Sequence, residues 1–253
     1  MRRPLIWVLG VAVATCGVWT GGLASAAPNV QTISGSFLPK KLPKRKRAPI
    51  SLFSNLEATN PGNPFSLPNP TTLAKVDYDK DGRFQQKGLP RCNPARFGPA
   101  TTTEKAKNEC SDALVGSGSS IIKVPTGPAT PPMTVNAEVT AFNGANKTLV
   151  LHTYNSLSGG LALVGTIRPA DKAAGRQYGI TLTVPVPPLA GGTAVITQLD
   201  AKVRKVYRHR GKKRSLISAR CRGDRKLRAQ ARFTDDQGQL STDTFVQRCK
   251  TKK

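Results

Sequence analysis

The 253-residue chain carries 39 Lys and Arg against 14 Asp and Glu, a net charge of +25, with five cysteines and 38% hydrophobic residues. That balance points to anionic partners. The long apolar run from Leu5 to Trp19 falls short of the about 20 residues a membrane helix needs, which argues against a transmembrane span.

Arg2 and Arg3 precede that run, and Ala24-Ser25-Ala26 follows it. Residues 1–26 therefore read as a secretory signal peptide, with a charged start, an apolar middle and a small-residue cleavage site. Cleavage removes Trp7, Trp19 and Cys16 and leaves a net charge of +23, because the lost stretch holds two arginines and no acid. Lipidation of Cys16 is disfavoured: Thr15 stands where a small residue is wanted, and Cys16 lies inside the apolar run. Arg2-Arg3 is too common a start to indicate twin-arginine export.

Residues 27–70 read as a basic, Pro-rich linker, largely irregular. The block Lys40, Lys41, Lys44, Arg45, Lys46 and Arg47 repels itself, and prolines such as Pro43, Pro61, Pro64 and Pro68 remove backbone donors. Ile50, Leu52, Phe53 and Phe65 give it apolar points with which to lie along a folded body.

From Thr71 the apolar pattern takes period two, and 71–253 reads as one β-sandwich domain. Val135, Ala137, Val139 and Ala141 alternate with polar residues, as do Leu182 and Val184, and Leu227, Ala229, Ala231 and Phe233. Turn signals separate these runs at Asn143-Gly144, Gly159-Gly160, Gly191-Gly192, Gly211-Lys212 and Gln237-Gly238. The pattern predicts a mainly β fold, an antiparallel, Greek-key-like β-sandwich, with Pro185 at a strand end or edge. One short helix is expected after Thr101, where Glu104 completes a capping-box spacing ahead of Lys105-Ala106-Lys107.

Once Cys16 is lost, Cys92, Cys110, Cys221 and Cys249 suit two disulfides in an oxidising compartment. Three pairings are open. Cys92–Cys110 with Cys221–Cys249 needs no long-range coincidence and closes loops worth about 3 kcal/mol each. No CxxC spacing and no His close to a cysteine favours zinc, and no metal or cofactor is expected.

Asp77-Tyr78-Asp79-Lys80-Asp81-Gly82 matches the first half of a calcium-binding loop, but Gly88 stands where the bidentate Glu belongs. A hairpin turning at Lys80-Asp81-Gly82 and returning at Phe84 is the preferred reading. Residues 200–253 hold eighteen Lys or Arg against five Asp. Arg204, Lys205, Arg208, Arg210, Lys212, Lys213 and Arg214 would form a positive hairpin tip. With Lys40–Arg47 they are the candidate site for an anionic envelope polymer or lipid surface. Export places nucleic acid last among such partners.

Catalytic signatures are missing: there is no HExxH, GxSxG or phosphate loop, and Gly116-Ser117-Gly118 is followed by strand-like Ile121-Ile122. His152 reads as a residue on a sheet face rather than a base, and His209 has no acid near it in sequence. The expected role is a secreted, non-catalytic protein bound to the envelope by charge. A secreted hydrolase acting on an envelope or extracellular substrate is the alternative.

Leu89-Pro90-Arg91-Cys92, Thr101-Thr102-Thr103 through Glu109-Cys110, Ala113 through Gly118, Leu216 through Cys221, and Phe245 through Cys249 resemble, in that order, an uncharacterised family of exported, disulfide-containing, β-rich proteins of high-GC Gram-positive (actinobacterial) bacteria. The likeness spans roughly residues 71–250. It implies a secreted β-rich domain with sequence-local Cys pairing, and brings no reaction, ligand or catalytic residue. The Arg208–Arg214 tip is not a feature of that family.

Overall fold

The computed structural model describes residues 28–127, 129–157 and 159–252. The expected signal peptide, with Cys16, lies outside them. In chain order the strands are β1 (Val30–Leu38), β2 (Lys41–Pro43), β3 (Ala48–Pro49), β4 (Ser51–Thr59), β5 (Thr71–Asp79) and β6 (Gly82–Phe84). A helix, α1 (Thr103–Glu109), precedes β7 (Leu114–Val124), β8 (Met133–Asn143), β9 (Thr148–Asn155), β10 (Gly159–Pro169) and β11 (Tyr178–Pro185). Then come β12 (Val195–Val203), β13 (Val206–His209), β14 (Lys212–Ser215), β15 (Ile217–Ala219), β16 (Lys226–Asp235), β17 (Leu240–Arg248) and β18 (Lys250–Lys252).

Eleven strands form one sheet in the order β1-β4-β12-β7-β8-β9-β10-β11-β5-β16-β17, every hydrogen-bonded neighbour antiparallel. Among the described residues, the mainly β, antiparallel architecture with one short α-helix is as expected from sequence. Its facing layers are halves of this single sheet, rolled until its edge strands meet.

That closure uses side chains in place of a backbone ladder. Asp243 accepts from the Ile33 amide (2.8 Å), and Ser241 donates to the Gln31 side chain (3.1 Å). Gln247 accepts from the Phe37 amide (2.9 Å) and donates to the Phe37 carbonyl (2.8 Å), so its carboxamide takes the place of a peptide group. All three contacts join residues 210 apart in sequence, which sets β1 and β17 parallel. Beyond the seam, β18 pairs with β2 as a parallel ladder.

The expected irregular linker, 27–70, is corrected by this arrangement. Residues 30–59 supply β1 to β4, and β4 is hydrogen-bonded on both sides, to β1 and β12. Leu52, Leu56 and Ala58 face inward with Ile33 and Phe37, and the Lys and Pro cluster occupies the connection between β1 and β4. Residues 60–70 are the irregular part.

Inward positions alternate as predicted along β8, β11 and β16, and Pro185 ends β11. Outward positions such as Ser117, Ser119, Asn136, Glu138, Thr242 and Thr244 are exposed. On β8–β10 an outer layer covers the wall: α1 and the Cys92–Cys110 disulfide pack over Phe142 and Val150. β9 is thereby buried on both faces, which explains its unbroken run Leu149-Val150-Leu151. The second disulfide, Cys221–Cys249, joins the segment after β15 to the end of β17. Both pairings are the sequence-local ones.

Two local expectations shift. The helix is capped by Thr102, whose hydroxyl accepts from the Lys105 amide (3.2 Å). Thr101 instead accepts from the Gly98 amide (2.9 Å). The turn at Lys80-Asp81 does not return a hairpin partner to β5, because β6 leaves the wall and pairs with β15 in a three-stranded sheet with β3.

Candidate functional site

Strand register brings the two basic segments to one end of the barrel. Leu38 pairs with Ser51 and Val203 with Leu52, so residues 39–50 and 204–216 emerge from the same rim. Lys40, Lys41, Lys44, Arg45 and Lys46 are exposed there, as are Arg204, Arg208, Arg210, Lys212 and Lys213. β13 and β14 form the expected hairpin, with Arg210 and Gly211 both at positive φ (50° and 73°). That is the turn geometry that matches strand twist in two-residue loops, and Gly211 adopts it without a Cβ penalty.

Not every predicted residue is free to meet a ligand. Arg47 donates to the carbonyls of Lys80 and Asp81 (3.2 Å each). Burial, followed by the nearby Arg220 and Arg83 charges, holds its pKa below the ordinary guanidinium value. Lys205 and Arg214 are half-buried in the root of the hairpin. Two lysines join the patch through pairing that sequence spacing does not show: Lys250 lies beside Lys41, and Lys252 beside Pro43.

The opposite rim differs. Residues 52–74, 181–201 and 233–247, which run through it, contain no Lys or Arg, and the last of these holds three aspartates.

The calcium-like run is occupied by its own cations. Asp77 lies 2.8 Å from Arg232, Asp79 3.2 Å from Arg228 and Asp81 2.7 Å from Arg220. Arg228 also contacts Asp224 four residues back. Asp77 is fully buried and takes a second contact from the Thr181 hydroxyl. Burial raises the Asp79 pKa against the opposing pull of the Asp81 amide and Arg228. Among the described residues no group of three His, Cys, Asp or Glu could hold a metal ion.

His152 is buried under the outer layer, its ring 4.9 Å from that of Phe97. Nε2 lies 3.1 Å from the Thr101 carbonyl, which only accepts, so Nε2 carries the proton and Nδ1 is a buried atom without a partner. Burial lowers its pKa, favouring the neutral ring. Gly116 and Gly118 serve packing rather than phosphate binding: a Cβ there would stand 2.3 Å from the Lys202 carbonyl oxygen and 1.8 Å from that of Asp200.

Sequence reading missed the interior. A cavity of about 290 Å³ lies inside the barrel and reaches the rim opposite the basic one. Its wall is apolar, with Leu149, Leu151, Leu163, Leu182, Val184 and Phe233 among its residues. Val186, Pro187, Pro188 and Leu189 line it from the connection after β11. Tyr78 also lines it, beside Ser54, and burial raises its pKa so that the phenol stays protonated. No local motif announces such a space, because eight strands of the sheet line it.

Compared with known proteins, the chain matches no family model and no curated protein.

Proposed function

We propose that this protein is an exported, non-catalytic barrel that docks through its basic end on a phosphate-bearing envelope surface, an anionic polymer or anionic lipid. One observation carries the reading: segments 39–50 and 204–216, far apart in sequence, leave the barrel at the same rim. At the opposite rim, stretches 52–74, 181–201 and 233–247 hold no cation, and Lys123 near the end of β7 stands alone among them. A soluble basic surface without a partner needs no such segregation. Two disulfides favour an oxidising compartment. No helix among the described residues is long and apolar enough to cross a membrane.

Each Lys or Arg held near an anionic lipid surface contributes about 1 kcal/mol, and salt screens that attraction beyond about 10 Å at 0.1 M. Co-sedimentation with vesicles containing anionic lipid, and separately with a wall phosphate polymer, should show binding that falls steeply with added salt. Neutralising Arg208, Arg210, Lys212 and Lys213 to Gln should weaken it, while vesicles of neutral lipid should not bind. Equal binding to neutral vesicles, or binding unchanged between low and high salt, would overturn the proposal. Comparison of the two arms identifies the phosphate source.

A further inference from the structure

The lumen carries an inference independent of the basic end. A cavity of about 290 Å³ is roughly twice the size of apolar protein cavities, of about 150 Å³, that stay dry and take up a benzene-sized guest. It also approaches the lower bound of small-molecule sites, about 300 Å³. The inward positions that line the cavity are apolar, whereas outward positions such as Ser117, Asn136 and Thr242 are polar.

Charge narrows the guest. Among the described residues no Lys or Arg lines the cavity, in a chain that has 39 of them. The charged residues along it are Glu57 and Asp236, both acids and both solvent-exposed. A carboxylate or phosphate head would find no counter-charge inside, and burying an unpaired charge costs heavily. The Tyr78–Ser54 hydroxyl pair, by contrast, can exchange a hydrogen bond with a neutral oxygen.

We propose that the barrel lumen is a binding site for an uncharged lipophilic molecule, an apolar body bearing at most a neutral oxygen such as an alcohol. The site discriminates against the equivalent carboxylate. Net charge acts in the opposite sense: adventitious adsorption to a protein of +25 favours the anion, so preference for the alcohol reports the lumen.

The test uses the uncharged fluorophore N-phenyl-1-naphthylamine with the purified protein. Its emission should rise on binding, and decan-1-ol should displace it at about tenfold lower concentration than decanoate, consistent with the cost of an unpaired buried charge. Leu163→Trp and Ala74→Phe each place bulk in the cavity, and whichever keeps the wild-type melting temperature should lose the fluorescence rise. Neutralising Arg208, Arg210, Lys212 and Lys213 should leave the rise intact. Three results would each overturn the proposal: no emission rise with the wild-type protein, a full rise in a folded filled variant, or decanoate displacing as well as decan-1-ol. The displacement series is read on wild-type protein, so it decides the matter even if both filled variants fail to fold.

Discussion

Gln247 closes the barrel, and its replacement by Leu tests whether side chains can stand in for a missing ladder. The residue is buried, and its carboxamide makes both hydrogen bonds to the Phe37 backbone. Leu is close in volume but leaves the Phe37 amide and carbonyl unpaired within a dry seam. A buried polar group deprived of its partner costs about 1–3 kcal/mol. Two of them, offset by no longer burying the carboxamide itself, bring the expected loss to about 3 kcal/mol. A chain of this size loses about 2–4 °C of melting temperature per kcal/mol, so a drop of about 6–12 °C is expected. Hydrogen exchange at the Phe37 amide adds a local readout, and it should accelerate more than exchange at Leu52, which lies in the β4 ladder. A Gln247→Leu protein with an unchanged melting temperature and unchanged Phe37 exchange would refute the closure argument.

Further expectations concern the ion pairs, His152 and the disulfides. Arg232→Met strands the fully buried Asp77 carboxylate and should cost about 3–5 kcal/mol in urea unfolding. The double variant Asp77→Asn/Arg232→Met should recover most of that loss; no recovery would mean that the charge pair is not the cause. Burial lowers the His152 pKa in the folded state, so the unfolded chain takes up a proton first as pH falls through its ordinary value near 6.5. Stability should therefore fall below pH about 6.5 by up to about 1.4 kcal/mol per pH unit, until the folded ring protonates in turn. His152→Gln, which can still donate to Thr101, should flatten that slope between pH about 7.5 and 5.5 in paired unfolding curves. Replacing Cys92 and Cys110 together, or Cys221 and Cys249 together, by Ser should cost about 3–4 kcal/mol on the chain-entropy account, given loops of 18 and 28 residues. A loss near zero in urea unfolding would show that the loops are constrained without their bridges.

Strands with a buried and a wet face were legible one by one. The alternation on β8 and β16 is a local property, and so is the turn chemistry of Arg210-Gly211. β1 and β4 were obscured for a physical reason. Gly35 and Ser54 interrupt their inward, apolar positions, and the Lys and Pro cluster between them dominates the composition. Only the pairing of β4 with β12 reveals that this stretch is wall rather than tether. The seam was illegible because Gln247 and Phe37 are 210 residues apart and neither belongs to a motif. The basic blocks were visible as blocks, whereas their convergence, and the addition of Lys250 beside Lys41, depend on register. The aspartates at 77, 79 and 81 looked like ligands because spacing records side-chain type and not the arginine opposite each one.

The two proposed activities sit at opposite ends of the barrel, and the distance between them sets how far they can interfere. β4 runs nine residues between the basic rim and the opposite one. At about 3.4 Å per residue and a barrel tilt of about 40°, that separates the rims by about 23 Å along the axis. The Debye length at physiological salt is about 8 Å, so the field of the basic end is reduced to a few per cent at the cavity mouth. Selectivity inside the lumen then depends on its own lining, apolar, without a cation and bearing the Tyr78 and Ser54 hydroxyls, and not on the net charge. Salt should separate the two activities. Raising it from about 0.15 M to about 0.5 M should release the protein from an anionic surface while leaving the alcohol-over-carboxylate preference in place. A preference that moved in step with surface release would mean that the basic end, and not the lining, selects the guest.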